Sequence, residues 1–489
     1  MGIKLIVLLL YAALLGGGWQ GTPADEDTLR AIEVDEFHRT LDPVLISNLD
    51  GTPAIAARAA LAIGRTKQPE GAVPLRAHLS AGDPSVRAMV VYGLGLLTDV
   101  ASLPDVTRLA QSDPNSAVRY AAVDAAGRIA ASDAKHAMPA LADNLLDIAR
   151  ADADPTVRAH AVAQLDPFRK SAEAPRIAAT LEAIETRDAD PDVRWHAAWM
   201  LFRGYAAFPN LSFLKNAAHD PEELVRVETA RALGHRKEFA AIGIARAMMN
   251  DRSWHVQLEA GEAVRRLLLE PPTAHLKAFP PGVRLPAIRM AEPPPKNDVA
   301  PNSGVPVGRV AERAPDPQQF ALGAPLLPTT ARDMNGPAPG AHPRVELRTT
   351  KGVVVVHLYP EWAPSTVANF LTLVATHNLD DNRWFRIVPD FVVQTGDVTN
   401  TGDGDPGYTI PAEENPVEQR TGIIAMGLDY DANGAVRDSA GTQFYVTLSP
   451  QLHLDRSFSM FGEVESGFNV LANLLESDYI ETATRLPDK

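Results

Sequence analysis

The stretch WFRIVPDFVVQTGD, Trp384 to Asp397, decides how this chain is read. Apolar side chains alternate around a single arginine, with Pro389 and Gly396 as punctuation, which predicts two strands joined by a tight turn. Arg386 is thereby set on a pleated, largely apolar sheet. Further on, GTQFYVTLSP (Gly441 to Pro450) and HLDRSFSMFGEV (His453 to Val464) continue the strand-like pattern. Gln443 and Tyr445 lie two residues apart, so one strand presents both on the same side. One arginine, two glutamines (Gln394 and Gln443) and several aromatics on one sheet define a pocket. No nucleophile-base triad and no HExxH motif accompanies it.

Together the three segments resemble the cyclophilins, over roughly Arg344 to Lys489. The resemblance implies a mainly-β domain, an eight-stranded antiparallel barrel capped by two helices near Ala363 to Thr376 and Ser466 to Leu475. It also implies peptidyl-prolyl cis-trans isomerisation of X-Pro bonds in protein substrates, a role in protein folding that needs no cofactor and no metal. Amide resonance opposes rotation of such a bond by about 18–20 kcal/mol. A catalyst must bind the twisted amide better than either planar form, with an apolar slot for the pyrrolidine ring and a fixed donor for the nitrogen lone pair. Arg386 matches the family's catalytic arginine, and its guanidinium is a rigid, permanently charged fork of donors. Phe391, Val392, Tyr445, Leu454 and Phe458 match proline-pocket positions, and Gln394 and Gln443 the backbone-holding glutamines. Gly427 and His453 are substrate-groove positions where this chain departs from the family pattern, having Gly for a common Ala and His for the Trp of cyclosporin-sensitive relatives. Phe385, Leu428 and Tyr445 depart mildly, and Phe458 takes a position held by His or Tyr in many members, so a polar rim contact is lost. A competing reading is a module that holds proline peptides on a scaffold with little catalysis.

Composition bounds the remainder. The 489 residues, 45% of them hydrophobic, suffice for two or three domains. Of the formal charge of −15, the segment from Arg344 contributes 21 acidic against 10 basic residues, so no nucleic-acid partner is expected. The absence of cysteine excludes disulfides, thiolate catalysis and zinc-thiolate sites. MGIKLIVLLLYAALLGGGWQG has one early lysine, an apolar run from Leu5 to Leu15, then small residues. That is secretory-signal architecture, spanning residues 1–24 with cleavage between Gly18 and Ala24. Export to a periplasmic or extracellular location follows, without stable membrane insertion after cleavage. An uncleaved anchor is the alternative.

Between residues 27 and 270 an Asp-Pro-x-Val-Arg motif recurs, at Asp83, Asp113, Asp154, Asp190 and Asp220. Arg87, Arg119, Arg158, Arg194 and Arg226 follow at intervals of 32, 39, 36 and 32 residues. Such a period predicts an all-α solenoid, with Asp capping each helix and Pro at its first position. The array resembles HEAT repeats, which implies a protein partner or client docked on it. Arg87 lies four residues after the capping Asp83 and can bind that carboxylate, so a ladder of Asp-Arg pairs down the array is expected. Trp195, His196 and Trp199, with Trp254 and His255, read as packing between repeats in preference to a recognition face.

Residues 271–343 carry 17 of the 40 prolines and read as an extended linker. Within the barrel region, Asp429, Asp431, Asn433 and Gly434 imitate the first half of a calcium loop, but Ala440 stands where a bidentate Glu would complete it. An Asn-Gly turn is the expected outcome. GDGDPG at Gly402 lacks the following helix that a phosphate cradle uses.

Overall fold

The computed structural model describes residues 22–132, 138–205, 209–236, 238–269, 341–404, 406–431 and 434–487. The signal segment lies outside these residues except at 22–24, as does the linker except at 341–343. Among the described residues no helix is long and apolar enough to cross a membrane.

The repeats form antiparallel helix pairs as expected. The inner helices Pro53–Thr66, Pro84–Leu96, Pro155–Ala163 and Pro191–Arg203 each begin on proline. Asp83, Asp154 and Asp190 cap theirs by accepting from backbone N–H groups one or two residues inside. Where the motif is lengthened the cap moves: Asn115 caps Ser116–Ser132, and Glu222 caps Glu223–Gly234. Pro53–Thr66 is buried continuously from Ile55 onward, as a helix covered on all sides must be. Gly64 and Gly93 allow it to touch Pro84–Leu96, since a Cβ on Gly64 would fall 2.6 Å from the Cα of Gly93.

The arginine series corrects one expectation. Arg87 pairs in two-pronged fashion with Asp113, at 2.9 and 3.1 Å, Arg119 with Asp152 and Arg158 with Asp188. Each guanidinium also donates to a carbonyl six residues upstream, as Arg87 does to Ala81. The residue four positions back, Asp83, Asn115 or Asp154, is engaged in capping, so the arginine reaches the next repeat and the pairs tie neighbours together.

Among the described residues ten strands follow: β1 (Arg344–Thr349), β2 (Gly352–Leu358), β3 (Arg386–Val388), β4 (Val392–Thr395), β5 (Ile423–Met426), β6 (Tyr430–Asp431), β7 (Gly434–Ala435), β8 (Phe444–Thr447), β9 (Met460–Ser466) and β10 (Ile480–Arg485). Eight form one antiparallel sheet in the order β10-β1-β2-β9-β5-β8-β4-β3. Its ends meet where Asp381 and Trp384 donate to Ile480 and Asp478 just before β3, closing the barrel. Phe370, Trp384, Phe444 and Phe461 fill the interior. Helix Pro364–Ala375 caps one end, while the second cap is the single turn Phe468–Leu471, shorter than expected. β6 and β7 pair antiparallel, Tyr430 with Ala435 and Asp431 with Gly434, while Asn433 of the expected Asn-Gly turn lies outside the described residues.

Contacts divide the chain into two units, one joining the helices up to Pro209 with the barrel, the other starting at Asn210. The first repeats therefore pack with the barrel in one unit. The second unit packs Leu211–Ala217, Glu223–Gly234, Ala240–Met248 and Trp254–Leu269, with Arg226 paired to Asp251.

In the first unit the barrel segment 412–419 is buried. Arg65 donates to the carbonyls of Glu414 (2.9 Å) and Trp362 (2.6 Å), and Arg128 to the Glu414 carboxylate at 3.0 Å. Tyr120 donates to the carbonyl of Pro416, and Arg420 grips Asp192 at 2.8 and 2.9 Å. The Arg420 guanidinium lies 5.2 Å from the centre of the Trp195 ring. Trp195, His196 and Trp199 are buried, as the packing reading expects, although Trp195 packs on the barrel as well as within the array. Trp254, by contrast, is 63% exposed.

Candidate active site

Alternation along β4, β5 and β8 sends neighbouring residues to opposite faces. Val393, Ile424, Met426, Phe444 and Val446 enter the barrel core. Val392, Ala425 and Tyr445 form a second apolar cluster with Leu454 and Phe458 on the other face. The register lines up Arg386 opposite Gln394, Gln394 opposite Tyr445, and Tyr445 opposite Ala425. One row across four strands thus runs from the guanidinium to the apolar slot.

A groove of about 1090 Å³ opens over this row. Arg386, Phe391, Val392, Gln394, Gly427, Gln443, Tyr445, His453, Leu454 and Phe458 all line it, so every residue singled out in the sequence converges there. Asp390, with φ at 57°, turns the chain between β3 and β4 and brings Phe391 back beneath Arg386. The guanidinium carbon lies 5.4 Å from the Phe391 ring centre, and the ring stacks on His453 at 5.7 Å and 16°. His453 thereby supplies a flat wall in its departed position. Tyr445 and Phe458 meet edge to face at 5.5 Å. Burial, then Asp455 and Tyr430, push the Tyr445 phenol well above its ordinary pKa, so it stays a donor, and it donates to Gln419 at 3.3 Å.

The polar groups form a directed chain. Arg386 donates to Gln394 at 3.4 Å, Gln394 to Gln443 at 3.0 Å, and Gln443 to Asp397 at 3.2 Å and to the carbonyl of Gly402 at 3.1 Å. Asp397 is fully buried and also accepts from the N–H groups of Thr401, Gly402 and Gly404. A Cβ on Gly404 would fall 2.2 Å from that carboxylate, so glycine is required there. The Gly-rich loop spends its amides on Asp397, which fixes both glutamine side chains in one orientation.

Asp397 and Gln419 are the positioning groups that the sequence reading did not identify. Asp397 ends the motif and precedes a Thr- and Gly-rich run, a pattern that signals a carboxylate collecting backbone amides. Gln419 has no local signal.

Residues 344–487 match the family described as cyclophilin type peptidyl-prolyl cis-trans isomerase, and residues 43–141 match HEAT repeats. Peptidyl-prolyl cis-trans isomerase B of Bacillus subtilis is 38% identical over 126 residues, covering 25% of this chain and 84% of that protein. A peptidyl-prolyl cis-trans isomerase of Synechococcus elongatus is 35% identical over 136 residues, covering 27% of this chain and 90% of its own. With the barrel and the groove built as described, the chain belongs to the cyclophilin type peptidyl-prolyl cis-trans isomerase family and joins that domain to N-terminal HEAT repeats.

Proposed function

We propose that the peptidyl-prolyl isomerase activity of this chain rests on Arg386 as the donor to the twisted X-Pro amide. The observation that carries the assignment is the cross-strand row, which sets Arg386 beside an apolar slot and holds it through Gln394. Phe391, Val392, Tyr445, Leu454 and Phe458 receive the proline ring, with Gly427 and His453 at the edges of the groove. Gln394 and Gln443 hold the peptide backbone. Rotation moves the amide nitrogen from planar to pyramidal, and its freed lone pair accepts a hydrogen bond that neither planar isomer can form. A donor fixed in advance stabilises that geometry selectively. The substrates are proline-containing proteins or peptides.

Arg386→Ala tests this: turnover of an X-Pro peptide, followed by NMR exchange, should fall by roughly 2–4 kcal/mol of transition-state stabilisation. Peptide affinity should change far less. Equal losses in both would remove Arg386 from the catalytic role. A wild-type chain that binds such peptides and leaves their exchange uncatalysed would replace the enzyme with a proline-binding module.

The export reading rests on the run after Lys4, and mass spectrometry of the mature chain checks it. An intact Met1 on cytoplasmic protein would sink it. A chaperone role for the array, docking clients or an assembly, is the second reading. Its support lies in the unit from Asn210, where a groove lined by Leu211, Lys215, Ile244 and Met248 is present.

A further inference from the structure

We infer that the helical array is part of the isomerase site, setting the proline slot from behind, and that Gln419 and Arg456 are its positioning residues. The inference rests on the groove being the isomerase site. Glu413, Glu414 and Glu418 are each less than a tenth exposed. Glutamates are rarely buried without partners, and here the partners come from the array as well as from the barrel. Glu414 meets Arg128 and Lys67, and one oxygen of Glu418 lies 3.6 Å from His160 and 3.5 Å from His196. Within the barrel, Glu413 accepts from Ser365 and Thr366 at the start of the capping helix, Arg437 pairs with Glu414, and Arg420 pairs with the other oxygen of Glu418 at 2.8 Å.

The buried segment ends at the slot. Gln419 accepts from the Tyr445 hydroxyl, its N–H donates to Asp455 at 2.7 Å, and its carbonyl accepts from the N–H of Gln451 at 2.6 Å. One residue thus braces a slot wall and the turn that carries His453, Leu454 and Phe458. Two residues beyond Leu454, Arg456 points the other way. Its guanidinium lies on Asp124, at 3.1 and 2.9 Å, and on Gln164, both array residues. Asp124 is 1% exposed. Arg456 also holds a φ of 69°, a left-handed conformation that costs a non-glycine residue energy and persists only where the surroundings fix it. The array's grip on the guanidinium is that fixture. Leu454 faces proline while Arg456 faces the array, so a shift of one moves the other.

The array enters binding of the ring, not donation by Arg386. Arg456→Gln in the full chain should therefore raise KM for an X-Pro peptide by about tenfold, below the roughly hundredfold that a 1 Å misplacement can cost. The value of kcat should stay within about twofold of wild type. Gln419→Met should raise KM as well, because it strands the buried Tyr445 hydroxyl. The double variant Gln419→Met with Tyr445→Phe removes both ends of that bond and should recover much of the loss. Such rescue is not expected of a general loss of stability, which calorimetry on the same samples records. A folded Arg456→Gln chain with wild-type KM overturns the inference. If that variant does not fold, the Gln419 pair decides, and Gln419→Met with wild-type KM overturns it equally. A wild-type chain with no activity at all would remove the isomerase reading instead, and peptide titration would still report whether the array shapes the slot.

Discussion

The groove and the seam between array and barrel use charge in opposite ways. In the groove one guanidinium stands at the water boundary, and its polar neighbours form a single directed chain ending on Asp397. In the seam charges are buried or half-buried and paired, within the array or across to the barrel: Arg65 and Arg58 on Glu36, Arg128 and Arg456 on Asp124, Arg420 on Asp192 and Glu418. The contrast teaches that the groove leaves its charge available to a substrate, whereas seam charge is consumed by partners the chain already has. Breaking one should cost rate, and breaking the other should cost the fold.

The largest effect is expected at Arg65, which is fully buried and holds Glu36 and two barrel carbonyls. Arg65→Ala should destabilise the first unit by about 3–5 kcal/mol, because it leaves Glu36 with one guanidinium fewer and the carbonyls unserved. In denaturant melts the array's first repeats and the barrel should unfold together. Separate transitions for them in the wild-type chain would show the seam to be weak. Arg386→Ala should reverse the pattern, with the turnover loss given above and a melting midpoint near wild type.

Acidity sharpens the comparison. Burial alone would raise Glu36, but Arg58 and Arg65 hold its carboxyl down to about 2, and Asp124 and Glu418 likewise lie well below the ordinary range. Below the unfolded value near 4.5 the unfolded chain binds more protons than the folded one, so this stability is present above that pH and lost as pH falls. Glu361 moves the other way, to about 8, through burial without a hydrogen-bond partner for its carboxylate. There the folded chain keeps a proton that the unfolded chain releases. That contribution is complete below about 4.5 and disappears as pH rises through 8, at no more than about 1.4 kcal/mol per pH unit. His196, raised above 6.5 despite burial by Asp192 and Glu418, acts in the same direction. Denaturation midpoints across pH should therefore decline at both ends. A flat stability profile would mean that the seam groups are solvated in solution.

The smallest effect belongs to the array's outer surface. Arg108 and Asp105 pair at 3.0 Å with both side chains more than half exposed, and Arg108→Gln should change stability by less than about 0.5 kcal/mol. A larger loss would show that exposed pairs contribute to this fold as buried ones do.

The groove-lining residues were legible because strand alternation is a local rule. Arg386, Gln394, Gln443 and Tyr445 follow from period two together with one turn, and the family motif adds the roles. The repeat arginines were legible as a series and misread in their partners. Spacing along one helix reveals the residue four positions back, but the competing carboxylate comes from the next repeat. The seam had no local signature. EEN at Glu413 and VEQR at Val417 look like solvated loop residues until Arg65, Arg128, His160 and His196 are brought in from positions more than two hundred residues away.

By itself the sequence determined the two architectures, the capping and prolines that start the inner helices, and the set of side chains facing the groove. These depend on interactions between residues close in the chain or paired across adjacent strands. Only the tertiary structure decided that the first repeats close over the barrel, that Asp397 orders the glutamines and that Gln419 backs the slot. Those contacts join segments with no shared periodicity, and burial gives them weight: a glutamate is soluble surface or structural seam according to what lies opposite it.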